Sequence, residues 1–223
     1  MLVHYYKNIA PNWRSAWSSN AFKNQFVLTI LGFVAAHLLN FYYLRLWQGR
    51  SGTQVNDMLL NLLPPQDFSI PIFVLEYSCI LLVFLFTLGL PERLLKGLQM
   101  FSVVIIARTV AIFLIPLEAP RDMIPLDDPM ASLFLHTPDV FVTKDLFFSG
   151  HVSALTMLML IARFTWLKRY AAFCIVAVGG MIMCQHVHYS MDVFFAPLIS
   201  YVIYKMVMWV HAETKYGIQI QEV

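Results

Sequence analysis

Charge is scarce in this chain. Only 13% of its 223 residues are Asp, Glu, Lys or Arg, about half the share of an ordinary soluble domain. The basic residues stand singly or in pairs, so no patch of the kind that grips nucleic acid is formed, and nucleic acid is excluded as a partner class. Cysteine is scarcer still. Cys79, Cys174 and Cys184 are odd in number and each lies inside an apolar run. They make no disulfide framework and read as small buried apolar residues. The N-terminal region holds Lys7, Arg14 and Lys23 but no apolar core, which reads as no cleavable signal peptide. Also missing are the alternating apolar and polar segments of a membrane barrel, internal repeats and any long low-complexity stretch.

What remains is apolar. Hydrophobic residues make up 59% of the chain, and the mean hydropathy is +0.67. Six runs have the roughly 17–22 residues that a hydrocarbon core of about 30 Å requires: Phe26–Leu46, Ile70–Leu90, Gly97–Ile115, Ser149–Trp166, Tyr170–His186 and Met191–Val210. In lipid the backbone must satisfy its own hydrogen bonds, so these runs are expected as helices. The expected fold is an all-α integral membrane bundle of six transmembrane helices with short loops. Residues 1–25 read as an interfacial arm, because Tyr5, Tyr6, Trp13 and Trp17 suit the headgroup region. Residues 26–211 make the transmembrane domain, and 212–223 a cytoplasmic tail.

Basic residues set the orientation. With the N-terminus in the cytoplasm, the cytoplasmic segments hold Lys7, Arg14, Lys23, Arg93, Lys96, Arg163, Lys168, Arg169, Lys205 and Lys215. The outer segments then hold Arg45, Arg50, Arg121 and Lys144. That distribution obeys the positive-inside rule and puts both termini in the cytoplasm. The outer loop Leu117–Phe148 is acidic and proline-containing. As the longest loop it is a candidate lid or wall over a site.

Two segments fall at the outer face under this topology. One is Asp145-Leu-Phe-Phe-Ser149-Gly150-His151 and the other is His186-Val-His188-Tyr189-Ser190-Met191-Asp192. His188 and Asp192 are four apart and share a face if the helix already includes His188. An Asp that accepts one ring N–H fixes the tautomer and leaves the other nitrogen as nucleophile or base. Ser149-Gly150 allows a tight turn into a helix whose N-terminus favours an anion. A phosphate held there between two histidines is a sensible phosphoryl-transfer site. Arg108 and Glu76 are charges inside apolar runs, which tend to mark sites. Arg108 either holds the phosphate or pairs with Glu76. His37, in the first run, reads as a packed or hydrogen-bonded core histidine.

At these residues the sequence resembles the type 2 phosphatidic acid phosphatase superfamily, and within it the sphingomyelin synthase-like branch of lipid headgroup transferases. Asp145-x-x-x-Ser149-Gly150-His151 is similar to that branch's first histidine motif, with Lys144 where the branch has Gly. His188-Tyr189-Ser190-Met191-Asp192-Val193 is similar to its second. The likeness runs from about Arg93 to Tyr204, and the match at Arg108 is weak. The phosphatase pattern departs in three places. Phe148 stands where it has Pro, Ile182 stands where it has Arg, and its Lys/Arg-Pro motif has no counterpart. Those cations would hold a dianionic monoester, whereas a phosphodiester carries one charge and needs fewer.

The resemblance implies a lipid phosphotransferase without metal or other cofactor. Asp192 would orient His188, which attacks the phosphorus of a phospholipid donor. His151 would protonate the departing diacylglycerol and later deprotonate a lipid alcohol acceptor, such as ceramide or diacylglycerol. Asp145 would tune His151 or position the acceptor. Arg108, Ser149 and Gly150 would bind phosphate. Tyr189, Phe147, Phe148 and Glu76 are candidate headgroup contacts, the aromatic faces for a quaternary ammonium. Three rivals stay open: a lipid phosphate phosphatase using water, an inactive lipid-binding relative, and a metal site from His136, His151, His186 and His188.

Overall fold

The computed structural model describes residues 7–126 and 143–213. Its elements are α1 (Ile9–Ser18), α2 (Asn20–Trp47), a 3-10 turn (Leu60–Leu62), α3 (Ser69–Thr87), α4 (Pro91–Leu114), α5 (Gly150–Ile161), α6 (Thr165–Cys184) and α7 (Ser190–Glu213). Among the described residues there is no strand, only an isolated bridge between Thr53 and Leu117. Five helices, α2, α3, α4, α6 and α7, are long and apolar enough to cross a membrane. This is the architecture of a multi-pass helical membrane protein.

The helix boundaries correct the sequence reading in informative places. The fourth run is shorter than expected: α5 has 12 residues, or about 18 Å at 1.5 Å per residue. It stops because Ala162 is extended (φ −57°, ψ 136°). The chain then bends at Phe164 and begins α6 at Thr165, five residues before the expected Tyr170. Pro91 does not merely end the second run. It occupies the first turn of α4, where its missing N–H costs nothing and its fixed φ suits a helix. Ile115, ahead of Pro116, closes α4 in a non-helical conformation.

The core lies where α5 meets α3, α4, α6 and α7, around Ile72, Met100, Val104, Leu155, Cys174, Val178 and Ala196. Cys79 and Cys174 are buried free thiols within it. The helix α2 is peripheral and packs on α4, tied by Thr109 Oγ1 to Asn40 Oδ1 (2.8 Å) and Gln99 Nε2 to Thr29 Oγ1 (3.0 Å). His37 is not a core residue. It is exposed on the outer face of α2, with Nδ1 2.8 Å from the Phe33 carbonyl. The arm α1 docks on the α3–α4 turn. Asn12 Nδ2 donates to Gly89 O (2.8 Å) and Trp13 Nε1 to Leu88 O (2.7 Å).

Antiparallel pairing gives the bundle two chemically different ends. At one end Arg108, near the C-terminus of α4, meets the chain just before α5. At the other, Arg93 in the first turn of α4 reaches the Ile161 carbonyl at the end of α5.

Candidate active site

The second histidine motif sits at the start of α7. The helix begins at Ser190, so His188 lies ahead of it rather than within it. The pair forms because Asp192, on the third helical residue, reaches back. Its Oδ2 accepts the Tyr189 amide at 3.1 Å and stands 3.3 Å from His188 Nδ1. This is the carboxylate half of a capping box, a device that satisfies an orphan amide at a helix start. Here it also fixes an imidazole. An Nδ1–H given to Asp192 leaves Nε2 with the lone pair. Both side chains are deeply buried, His188 at 3% exposure and Asp192 at 0%.

The first motif sits at the start of α5. Ser149 caps the helix, its Oγ accepting the Val152 amide. The Ser149 amide in turn donates to the Asp192 carbonyl at 3.1 Å. A backbone bond therefore locks the two motifs together. His151 follows on the first turn of α5, and its Nδ1 donates to Glu76 Oε2 at 2.7 Å. The two imidazoles come face to edge, with centroids 6.4 Å apart and planes at 74°.

The pairing of charges differs from the sequence expectation. Arg108 does not bond Glu76, which is held by His151. Arg108 Nη2 instead meets Asp145 Oδ1 at 2.7 Å, and its Nε donates to the Phe148 carbonyl at 2.8 Å. Asp145 is thus the hydrogen-bonded partner of Arg108 and lies near enough to His151 for its charge to act on that ring. Arg108 lies flat across Gly150: a Cβ there would come within 2.7 Å of Nη1 and 2.8 Å of Cζ. Real Cβ atoms do not approach so closely, so the guanidinium occupies space that only glycine leaves open.

The aromatic candidates have other work. Tyr189 is buried with Leu60, Leu117 and Leu146, and its hydroxyl donates to the Glu118 carbonyl (2.9 Å) while accepting the Val55 amide (3.3 Å). Phe148 is buried in the core. Phe147 is half-buried and edge-packed on Phe148 and Phe195. The rings of Tyr189 and Phe148 are thus held by packing, and Tyr189 also lines a cavity beside the motifs. His186 is turned away from the other histidines, with Nδ1 2.9 Å from Arg121 O and Nε2 3.0 Å from Leu63 O. This separates it from the His151, His186 and His188 metal cluster considered above, and His136 lies outside the described residues.

Two supports escaped sequence reasoning. Asp57, in the loop after α2, takes the Ser190 amide at 2.6 Å on one oxygen and the Leu59 and Leu60 amides on the other. Burial pushes its carboxyl up, but these amides and the Ser190 side chain prevail and hold it below the ordinary carboxylate value. Buried Gln185 joins α6 to α3, accepting from the Phe68 amide and donating to Ser69 Oγ, both at 2.9 Å. No spacing rule points to either; a loop carboxylate ahead of a helix start is the faint signal for Asp57. A cavity of about 830 Å³ opens beside the motifs, between the 54–65 segment, Pro120–Asp122, His186 and Tyr189. A smaller one of about 60 Å³ reaches Asp145.

No protein-family model matches the chain, and no curated protein matches it.

Proposed function

We propose that this protein is a membrane lipid phosphotransferase that moves a phospho-headgroup from a phospholipid to a lipid alcohol through a phosphohistidine on His188. The observation that carries this reading is the paired arrangement of two histidines, each backed by its own carboxylate, with ring centroids 6.4 Å apart.

In the first step His188 Nε2 attacks phosphorus, and the bond to the diacylglycerol oxygen breaks. His151, protonated on its Nε2, gives that oxygen its proton. Glu76 on Nδ1 stabilises the imidazolium before the transfer. In the second step His151 takes the proton of the acceptor hydroxyl, whose oxygen attacks phosphorus and frees His188. Asp192 orients His188 and offsets the positive charge the ring gains. Arg108 has committed Nε and Nη2 to Phe148 and Asp145, so its remaining positive field is partly neutralised. That supports a singly charged diester over a dianionic monoester, in line with Ile182 standing where the phosphatase pattern has Arg.

In this reading the bundle crosses six times, with α5 making a short crossing. Its two ends reach Arg108 and Arg93 on α4, about 22 Å apart along that helix. The positive-inside rule then puts both termini in the cytoplasm and the histidines on the opposite face. The deciding experiment incubates purified protein with phosphatidylcholine or phosphatidylethanolamine plus ceramide or diacylglycerol, followed by lipid mass spectrometry. Headgroup transfer is expected, with little inorganic phosphate from phosphatidic acid. Rapid phosphate release without transfer to any acceptor would establish the phosphatase instead.

A further inference from the structure

The end of the bundle remote from the histidines carries its own cavity, of about 320 Å³. Its lining includes Arg93, Lys96, Arg163 and Lys168 and, among the described residues, one carboxylate, Glu92. Arg93 and Lys96 lie in the first two turns of α4, and Lys168 lies in the first turn of α6, which has no acidic residue. Helix N-termini already carry partial positive charge, so cations are disfavoured there. Arg93, Lys96 and Arg163 are also half-buried. Four cations lining one cavity make it a favourable place for an anion.

The remaining lining says what kind of anion. Met100, Leu160, Tyr204 and Met208 form apolar walls, which a small free anion would not use. The cavity also sits at headgroup depth. At the same end, the arm α1 lays Trp13 and Trp17 beside the α3–α4 turn, while Trp166 and Trp209 face outward, and tryptophan marks the membrane interface. We infer that this cavity binds the phosphate headgroup of an anionic phospholipid from the leaflet at that end, with Lys96, Arg163, Arg93 and Lys168 around the phosphate and the apolar walls along the glycerol and upper acyl chains. Basic pockets between membrane helices suit such headgroups, and the volume is sufficient for one. The site is separate from the histidines and stands or falls independently of headgroup transfer.

The test is native mass spectrometry of the detergent-purified full chain with equal amounts of phosphatidylglycerol and phosphatidylcholine. Wild-type protein should retain phosphatidylglycerol preferentially. The Lys96→Gln/Arg163→Gln double variant should lose that preference by roughly five- to thirtyfold. Arg45→Gln, a lost cation at the other end, should keep it. Glu92→Gln should strengthen retention, and it carries the test if the double variant is not monodisperse. Equal retention of both lipids by wild type, or a Glu92→Gln variant that binds no better, overturns the site. Displacement by inorganic phosphate as effective as by phosphatidylglycerol overturns the lipid assignment in favour of a free anion.

Discussion

The two histidine–carboxylate pairs join the same groups and are built in opposite ways. His188 and Asp192 are four residues apart, deeply buried, and joined by a helix cap that would form in almost any helix start with this sequence. His151 and Glu76 are 75 residues apart, brought together only when α3 packs against α5. The His151 side chain also keeps 24% of its surface exposed. In the proposed mechanism a buried nucleophile with a short tether is held rigid, whereas a proton carrier that serves two different oxygens, leaving group and acceptor, needs access and stays nearer the surface. The difference predicts different penalties when each pair is broken.

The largest effect is expected at the tethered pair. His188→Ala should reduce headgroup transfer to background, and Asp192→Asn should reduce it by roughly ten- to hundredfold, the cost of one charge-assisted hydrogen bond. Turnover numbers with a fixed donor and acceptor check both. The looser pair should fail conditionally. His151→Ala should lose about 10²- to 10⁴-fold on a phospholipid, yet retain most of its rate of alcohol release from a nitrophenyl phosphodiester, whose leaving group needs no acid. Glu76→Gln should follow the same pattern at smaller amplitude and add little in a His151→Ala background. Equal damage on both substrates would mean that His151 binds phosphate rather than carrying a proton.

The next effect lies between the pairs. Gly150→Ala forces the Arg108 guanidinium to move, which overpacking data put at about 1–3 kcal/mol of stability. Thermal unfolding should report it, with Arg108→Ala/Gly150→Ala recovering part of the loss. The smallest effect concerns the support beneath His188. Asp57 has a lowered pKa in the folded protein, so its contribution is present above the ordinary carboxylate value and lost as pH falls through the folded one. Asp57→Ala should cost about 0.5–2 kcal/mol near neutral pH, the range for a lost helix cap. The difference from wild type should shrink below about pH 4.

The same contrast explains what could be read from the sequence. The local pair was legible because His188 and Asp192 share a helix start, and Ser149-Gly150-His151 was legible because a cap and a glycine announce one. Five long apolar helices were legible from hydropathy alone. The partner of His151 was not. Glu76 and Arg108 both stood as charges within apolar runs, and pairing them with each other was one of two readings for Arg108. Side-chain direction instead sends Glu76 to His151 and Arg108 to Asp145. The C-terminal end of α5 was missed because Ala162-Arg163-Phe164 carries no proline or glycine to mark the turn. The part of Tyr189 in pinning the loops around it was not legible, because its hydroxyl partners lie in distant loop segments.

The most direct measurement of the central claim is a rapid-quench experiment with phosphatidylcholine or phosphatidylethanolamine and no acceptor lipid. Diacylglycerol should appear in a burst equal to the enzyme concentration. Peptide mass spectrometry under alkaline conditions, where phosphohistidine survives, should place the headgroup phosphate on His188. A Glu76→Gln enzyme should show a slower burst of the same size. Diacylglycerol release that occurs only when acceptor is added, with no adduct on His188, would contradict the account by showing direct displacement without a histidine intermediate.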